Sequence, residues 1–239
     1  MPHALYNSMT TITLNLQAVH HRIARAAVAS ARSAEQVSLL AVSKTAPLSC
    51  IEEASRAGQH AFGESYAQEA VKKITQLAHL GIQWHFIGPI QSNKTRLIAE
   101  HFQWVHSIDR DKIAMRLNDA RPHHLPPLDV CIQVNVSGEK NKSGVAPGEE
   151  LELARVIKTL GRLRLRGLMT IPEPTPDTSV QRRRYALLRR LKDELNGAGY
   201  ALDTLSMGMS DDLESAIGEG ATIVRVGTAI FGSRETLQT

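Results

Sequence analysis

The sequence predicts a single (β/α)8 TIM-type barrel with an extra N-terminal helix. Three observations carry that expectation. Short, nearly continuous apolar runs alternate with amphipathic stretches from Val37 to Gly232, the form of buried strands joined by helices. Eight such units fit this span at roughly 24 residues apiece, a compact version of the barrel class. The chain has 239 residues, so one barrel nearly fills it and little is left for a second domain. An open doubly wound sheet is the competing arrangement.

The first periodic segment covers residues 13–31. Ile12, Leu16, Val19, Ile23 and Ala27 fall three or four apart, one face of a helix that would cap or flank the barrel. Residues 37–42 form the first apolar run, and 48–57 the helix that follows, ended by Gly58. The second strand is expected at 60–62, with a helix over 66–80 stopped by Gly81. Residues 84–87 read as a strand and 93–101 as a helix. The fourth unit is a strand at 104–107 and a helix at 111–120, capped by Asp109 or Asp111. A proline-bearing loop leads to a strand at 128–134 and a helix at 148–160. Then come a strand at 163–169 and a long helix at 178–196, stopped by Gly197. The last units are a strand at 202–206, a short helix at 211–218, a strand at 222–226 and a final turn from 228. Every crossover contains a helix, so the strands are expected to run parallel. Residues 1–9 read as an extension and 10–239 as one domain.

Composition bounds the function classes. Hydrophobic residues are 42% and charged residues 22%, ordinary for a globular protein, which argues against disorder, collagen and coiled coil. No run of 18 apolar residues occurs, so no membrane helix is expected. The N-terminus lacks a signal pattern, and a cytoplasmic protein is expected. Cys50 and Cys131 lie in separate apolar stretches and read as buried thiols in a reducing compartment. The net charge is +4, and residues 181–192 alone carry six positive charges. Tyr185, Leu188, Leu191 and Leu195 recur there at helical spacing, so the charges read as a solvated face rather than a nucleic-acid surface. The histidines form no metal motif. Residues 138–144 lack the ending of a phosphate-binding P-loop, and neither a dinucleotide fingerprint nor a nucleophile elbow occurs. Trp84 and His85 read as barrel-layer residues.

Function in a barrel collects at the C-terminal strand ends. After the seventh strand, Gly208-Met-Ser-Asp-Asp212 leads directly into a helix, and Asp211 with Glu214 resembles a capping pair. After the eighth, Gly227-Thr228 opens the final turn. Free backbone N–H groups at two adjacent helix starts, with the hydroxyls of Ser210 and Thr228, would make a phosphate cradle. Arg225 is expected to point inward beside it. Closure of the barrel brings the first strand next to the eighth, and with it Lys44. A guanidinium nearby and partial burial would disfavour the ammonium form and free the amine as a nucleophile. An amine beside a phosphate anchor suits a phosphorylated aldehyde held as a Schiff base, with pyridoxal 5′-phosphate (PLP) the leading ligand.

The same residues resemble those of the YggS/PROSC family of pyridoxal phosphate homeostasis proteins, over about Thr10 to Arg234. The resembling motifs are Ala41-Val-Ser-Lys44, Gly63-Glu64 with Tyr66, His85-Phe-Ile-Gly-Pro-Ile-Gln91 with Asn93 and Lys94, Val134-Asn-Val-Ser-Gly-Glu139, Lys142-Ser-Gly144 and Arg166-Gly-Leu-Met169. The most specific are Leu205-Ser-Met-Gly-Met-Ser-Asp-Asp212 and Val224-Arg-Val-Gly-Thr-Ala-Ile-Phe-Gly232. The resemblance implies a barrel similar to the N-terminal domain of alanine racemase. It implies PLP on Lys44, phosphate held by Ser210, Gly227 and Thr228, and Arg225 facing the pyridine nitrogen. The family usually has asparagine after Gly-Glu. Here Ser65 takes that place, a shorter side chain without the amide donor, at a position the resemblance assigns to cofactor binding.

Two functions from different classes follow. A racemase-like enzyme needs an acid/base on each face of its substrate. Lys44 would serve one face, and of the tyrosines only Tyr66 follows a strand toward the mouth, where a packing role is the plainer expectation. Tyr185 and Tyr200 are expected away from it. Opposite an arginine, which only donates, the pyridine nitrogen would stay unprotonated and the ring would be a weaker electron sink. A binding protein that carries and buffers PLP in vitamin B6 homeostasis is therefore the favoured expectation. PLP-dependent apoenzymes would be its recipients. Lys94 and Lys142, on mouth loops, are candidates for holding a second or transferring cofactor.

Overall fold

The structure, a computed structural model, describes residues 10–139 and 142–232. Helix α1 (Thr11–Ala29) comes first, with the Thr10 side chain capping its N-terminus. Then follow β1 (Ser38–Val42), α2 (Leu48–Arg56), β2 (Ala61–Glu64), α3 (Ala67–Gln76), β3 (Gln83–Phe86), α4 (Thr95–His101), β4 (Trp104–Ile108) and α5 (Asp111–Ala120). The second half runs β5 (Leu128–Gln133), α6 (Glu150–Lys158), β6 (Leu163–Met169), α7 (Thr178–Gly197), β7 (Thr204–Ser206), α8 (Leu213–Gly218), β8 (Ile223–Val226) and α9 (Thr228–Phe231). The strands are parallel and close in sequence order, with β1 paired to β8. The expected barrel is therefore present. The expected extension at 1–9 lies outside the described residues.

Side chains alternate across each strand. Outward residues such as Phe62, Trp84, Phe86 and Val105 join the helices' apolar faces in one continuous core. Inward residues form smaller groups: Leu40, Ile87 and Ile223 in one, Trp104, Cys131 and Met169 in another. Trp84 departs from expectation. It packs at a tilt of 41° against outward Phe62 with ring centroids 5.9 Å apart, outside the barrel, and only His85 of the pair Trp84 and His85 is an interior residue. The phase of the strand forces this, since neighbours must face opposite ways.

Helix α1 buries Ile12, Leu16, Val19, Ile23 and Ala27, the stripe its spacing predicts, against α8, α9 and α2. Helix α7 buries Tyr185, Leu188, Leu191 and Leu195. Its basic face is laced with ion pairs, including Arg182 and Arg189 to Glu219 and Arg184 to Glu173. It runs through Gly197, and left-handed Gly199 (φ 88°) follows instead. The expected cap of α5 does not form: Arg110 holds the N-cap position, while Asp109 pairs with Arg110. Both cysteines are free, Cys131 buried and Cys50 only partly so. Among the described residues, no helix is long and apolar enough to cross a membrane, and no group of potential ligands could hold a metal.

Candidate functional site

Register sets the site. Leu40 lies opposite Arg225 and Ala41 opposite Val226, so the end of β1 runs beside Gly227 and Thr228. Lys44 shares the parity of inward Leu40 and Val42. It is exposed rather than partly buried as expected, because it sits in the turn beyond the strand end. Thr45, next to it, is left-handed (φ 66°), a strained conformation for a β-branched residue.

That turn is clamped by a charged cluster the sequence reading did not assign. Lys73 of α3 donates to the Ser43 carbonyl at 2.8 Å and to Glu64 Oε1 at 2.9 Å, and it pairs with Glu69 at 2.7 Å. Glu64 also accepts from the Ser43 hydroxyl at 2.7 Å, and Glu69 accepts from the Thr45 amide at 3.0 Å. The backbone on both sides of Lys44 is thereby held. Burial pushes the Glu64 carboxyl upward, against the pull of Lys73 and Ser43. A signal was present: Lys73 continues the buried stripe Ala67, Ala70, and a lysine in a core position needs a partner.

The loop after β7 is built around Asp212. Its carboxylate accepts from the Met209 amide at 2.6 Å and from the Tyr185 hydroxyl at 2.6 Å. Asp212, not Asp211, is the N-cap position of α8, and Glu214 is drawn away to Arg22 at 2.8 Å, so the expected Asp211–Glu214 capping pair is absent. Tyr185 lies closer to the site than expected. It is fully buried beneath this loop, and burial together with Asp212 pushes its phenol upward. Gly208 is left-handed (φ 93°), and a Cβ there would come 2.5 Å from Ala216 Cβ. Ser210 is half-buried, and its carbonyl accepts from Arg22 at 2.9 Å. Gly227 passes so close to β1 that a Cβ would lie 3.1 Å from the Val42 carbonyl, and Thr228, exposed, begins α9.

Arg225 is 3% exposed and points into the barrel, as expected. Its two terminal nitrogens donate to Ser206 Oγ and to the Thr170 carbonyl, each at 2.8 Å. Its charge is directed to β7 and the end of β6. Ser65 follows β2 and is half-buried. Tyr66, at the N-cap of α3, is 53% exposed rather than packed. Tyr200 lies under Lys158 on the barrel's outside, 5.1 Å from ring centroid to amine. Lys94 closes a short 3-10 turn, and Lys142 pairs with Glu139.

The residues fit a phosphorylated aldehyde. Among the described residues, the Lys44 amine forms no ion pair, and the hydroxyls of Ser210 and Thr228 make no side-chain hydrogen bond. The end of β1, which carries Lys44, runs beside Gly227 and Thr228, and the glycine lets the backbone approach a ligand.

Comparison with known proteins places this geometry in a class. Residues 14–235 match the family of the alanine racemase N-terminal domain. Alanine racemase from Corynebacterium glutamicum, 16% identical, superposes with a TM-score of 0.67 over 93% of this chain and 61% of that one, a likeness of fold. The chain is 60% identical over 227 residues to the pyridoxal phosphate homeostasis protein of Pseudomonas aeruginosa, covering 95% of this chain and 97% of that protein. PipY of Synechococcus elongatus, solved with PLP bound, is 33% identical with a TM-score of 0.81, over 92% of this chain and all of that one. The chain belongs to the pyridoxal phosphate homeostasis protein family.

Proposed function

We propose that this chain binds PLP as a Schiff base on Lys44 and serves as a carrier and buffer in vitamin B6 homeostasis, without efficient turnover. The observation that carries this is the free Lys44 amine at the strand end beside Gly227 and Thr228. When bound, PLP supplies an aldehyde that an amine can condense with, releasing water. Lys44 is the amine. Ser210, Thr228 and the N–H groups at the start of α9 hold the phosphate, where helix starts favour anions. Arg225 presents donors toward the ring, and Ser65 lines the mouth near the end of β2. PLP-dependent apoenzymes are the recipients.

The tyrosines support a carrier over a racemase. Tyr185 is buried and bonded to Asp212, and Tyr200 lies under Lys158. Among the tyrosines of the described residues, only exposed Tyr66 remains as a second acid/base on the mouth side. The experiment is borohydride reduction of the PLP-loaded protein followed by peptide mass spectrometry. One adduct on Lys44, lost in Lys44→Ala, is expected. An adduct on Lys94 or Lys142 with Lys44 unmodified would refute the site. Turnover of common amino acids within the ordinary enzyme range of about 1–10³ s⁻¹, lost in Tyr66→Phe, would refute the carrier reading.

A further inference from the structure

Five polar side chains cross the barrel interior as one hydrogen-bonded line. Exposed Gln83, at the start of β3, lies 3.1 Å from His85 Nε2. His85 Nδ1 lies 2.9 Å from His106 Nε2, and His106 Nδ1 lies 2.8 Å from Ser206 Oγ. Arg225 completes the line at Ser206. His106 and Ser206 are fully buried, and His85 nearly so.

We infer that His106, with His85 behind it, is a positioning residue for Arg225, and that the guanidinium fixes both imidazoles in the Nε2–H tautomer. A guanidinium only donates, so Ser206 Oγ accepts from Arg225; among the described residues its hydroxyl has no acceptor other than His106 Nδ1, and its proton goes there. His106 then carries its proton on Nε2 and donates it to His85 Nδ1. By the same rule His85 donates from Nε2 to the Gln83 carbonyl. Each link has one donor and one acceptor. A proton added to His85 would set N–H against N–H between the histidines, and one added to His106 Nδ1 would take away the acceptor of the Ser206 hydroxyl proton. The surroundings agree. Trp104 stacks on His85 at 5.4 Å. Burial drives both imidazoles toward the neutral form, and at His106 the charges of the neighbouring His85 and then Arg225 push the same way, both disfavouring its imidazolium.

The line restrains the guanidinium, which cannot rotate without breaking its bond to Ser206. His106 acts through Ser206. The consequence for a cofactor rests on the proposed PLP site: Arg225 would offer its donors to the ring in one orientation only.

The first test needs no cofactor. Long-range ¹H–¹⁵N spectra of histidine-labelled apoprotein should show His85 and His106 as neutral Nε2–H tautomers at pH 6. An Nδ1–H tautomer or an imidazolium at either residue would overturn the inference. The second test compares His106→Phe, which removes both links, with His106→Asn, which keeps an acceptor for Ser206. Separate Arg225 side-chain N–H signals should persist in the parent and in His106→Asn, and collapse in His106→Phe. With PLP loaded, release should be at least tenfold faster in His106→Phe, with a displaced absorption maximum, and near-parental in His106→Asn. Parental behaviour of His106→Phe, or equal defects in both variants, would overturn the positioning role. Failure of PLP to bind the parent would refute the proposed function, while the apoprotein spectra would still decide the tautomers.

Discussion

Lys73 shows how a single residue organises the site from outside it. It is buried, yet its ammonium meets Glu64, Glu69 and the Ser43 carbonyl. Removing one partner of a buried pair leaves the other charge uncompensated, which costs about 3–5 kcal/mol. Lys73→Met should therefore lower the urea midpoint strongly, and Lys73→Met with Glu64→Gln should recover part of the loss. Equal stability of the single and double variants would show that Glu64 carries no buried charge. Ser210→Ala is the cleaner test of the phosphate cradle. Its hydroxyl supports no other side chain, so PLP retention should fall while the melting temperature stays within about 1 °C, as for a substitution worth only a few tenths of a kcal/mol. Arg225→Ala cannot separate the two effects, because it also strips a buried donor from Ser206 and Thr170. The sequence marked Lys44, Ser210, Arg225, Gly227 and Thr228 by their places after apolar runs. It assigned Lys73, His106 and Ser206 no role: apart from Glu69, one helical turn before Lys73, their partners lie 9 to 100 residues away along the chain.

At the scale of elements, α1 is more than a flank to the barrel. Its apolar stripe packs on α8 and α9, the helices that start beside Ser210 and Thr228. Arg22 adds a polar strut, bonding the Ser210 carbonyl and both oxygens of Glu214. These groups are half-exposed, and such ion pairs contribute about 1 kcal/mol or less. Arg22→Ala should accordingly change the unfolding free energy little. PLP should leave several-fold faster, as the loop it braces loosens. A dissociation rate equal to the parent's would show that the Asp212 contacts alone hold the loop. The capping arrangement here was misread because Asp211 and Glu214 have the right spacing for a local pair. Spacing cannot foresee that an arginine on another helix will claim the glutamate.

For the whole molecule, the buried histidines set a pH window. Burial lowers His85 from 6.5 to about 3, and lowers His106 well below 6.5. The unfolded chain therefore binds protons first as the medium is acidified. The stability these neutral rings contribute is fully present above about pH 6.5 and is lost as pH falls toward their folded-state values. The slope is at most about 1.4 kcal/mol per pH unit for each histidine. Urea unfolding should thus show falling stability between pH 6.5 and 4.5, with a shallower slope in His85→Gln. Stability that is flat over this interval would contradict neutral, buried imidazoles.

The sequence by itself determined the number and order of strands and helices, because periodicity and apolar runs are local consequences of burial. It also determined the place of the candidate site, since a parallel barrel must gather the same end of every strand. Only the tertiary structure decided which side chains meet inside. Closure set Leu40 beside Arg225, and strand phase sent His85 inward and Trp84 outward. The burial of Arg225 then demanded acceptors, met by Ser206 and Thr170 from strands that the chain reaches 19 and 55 residues earlier. Lys44 stayed exposed because the turn carried it past the strand end, and its setting is the work of Lys73, Glu64 and Glu69 packed around that turn.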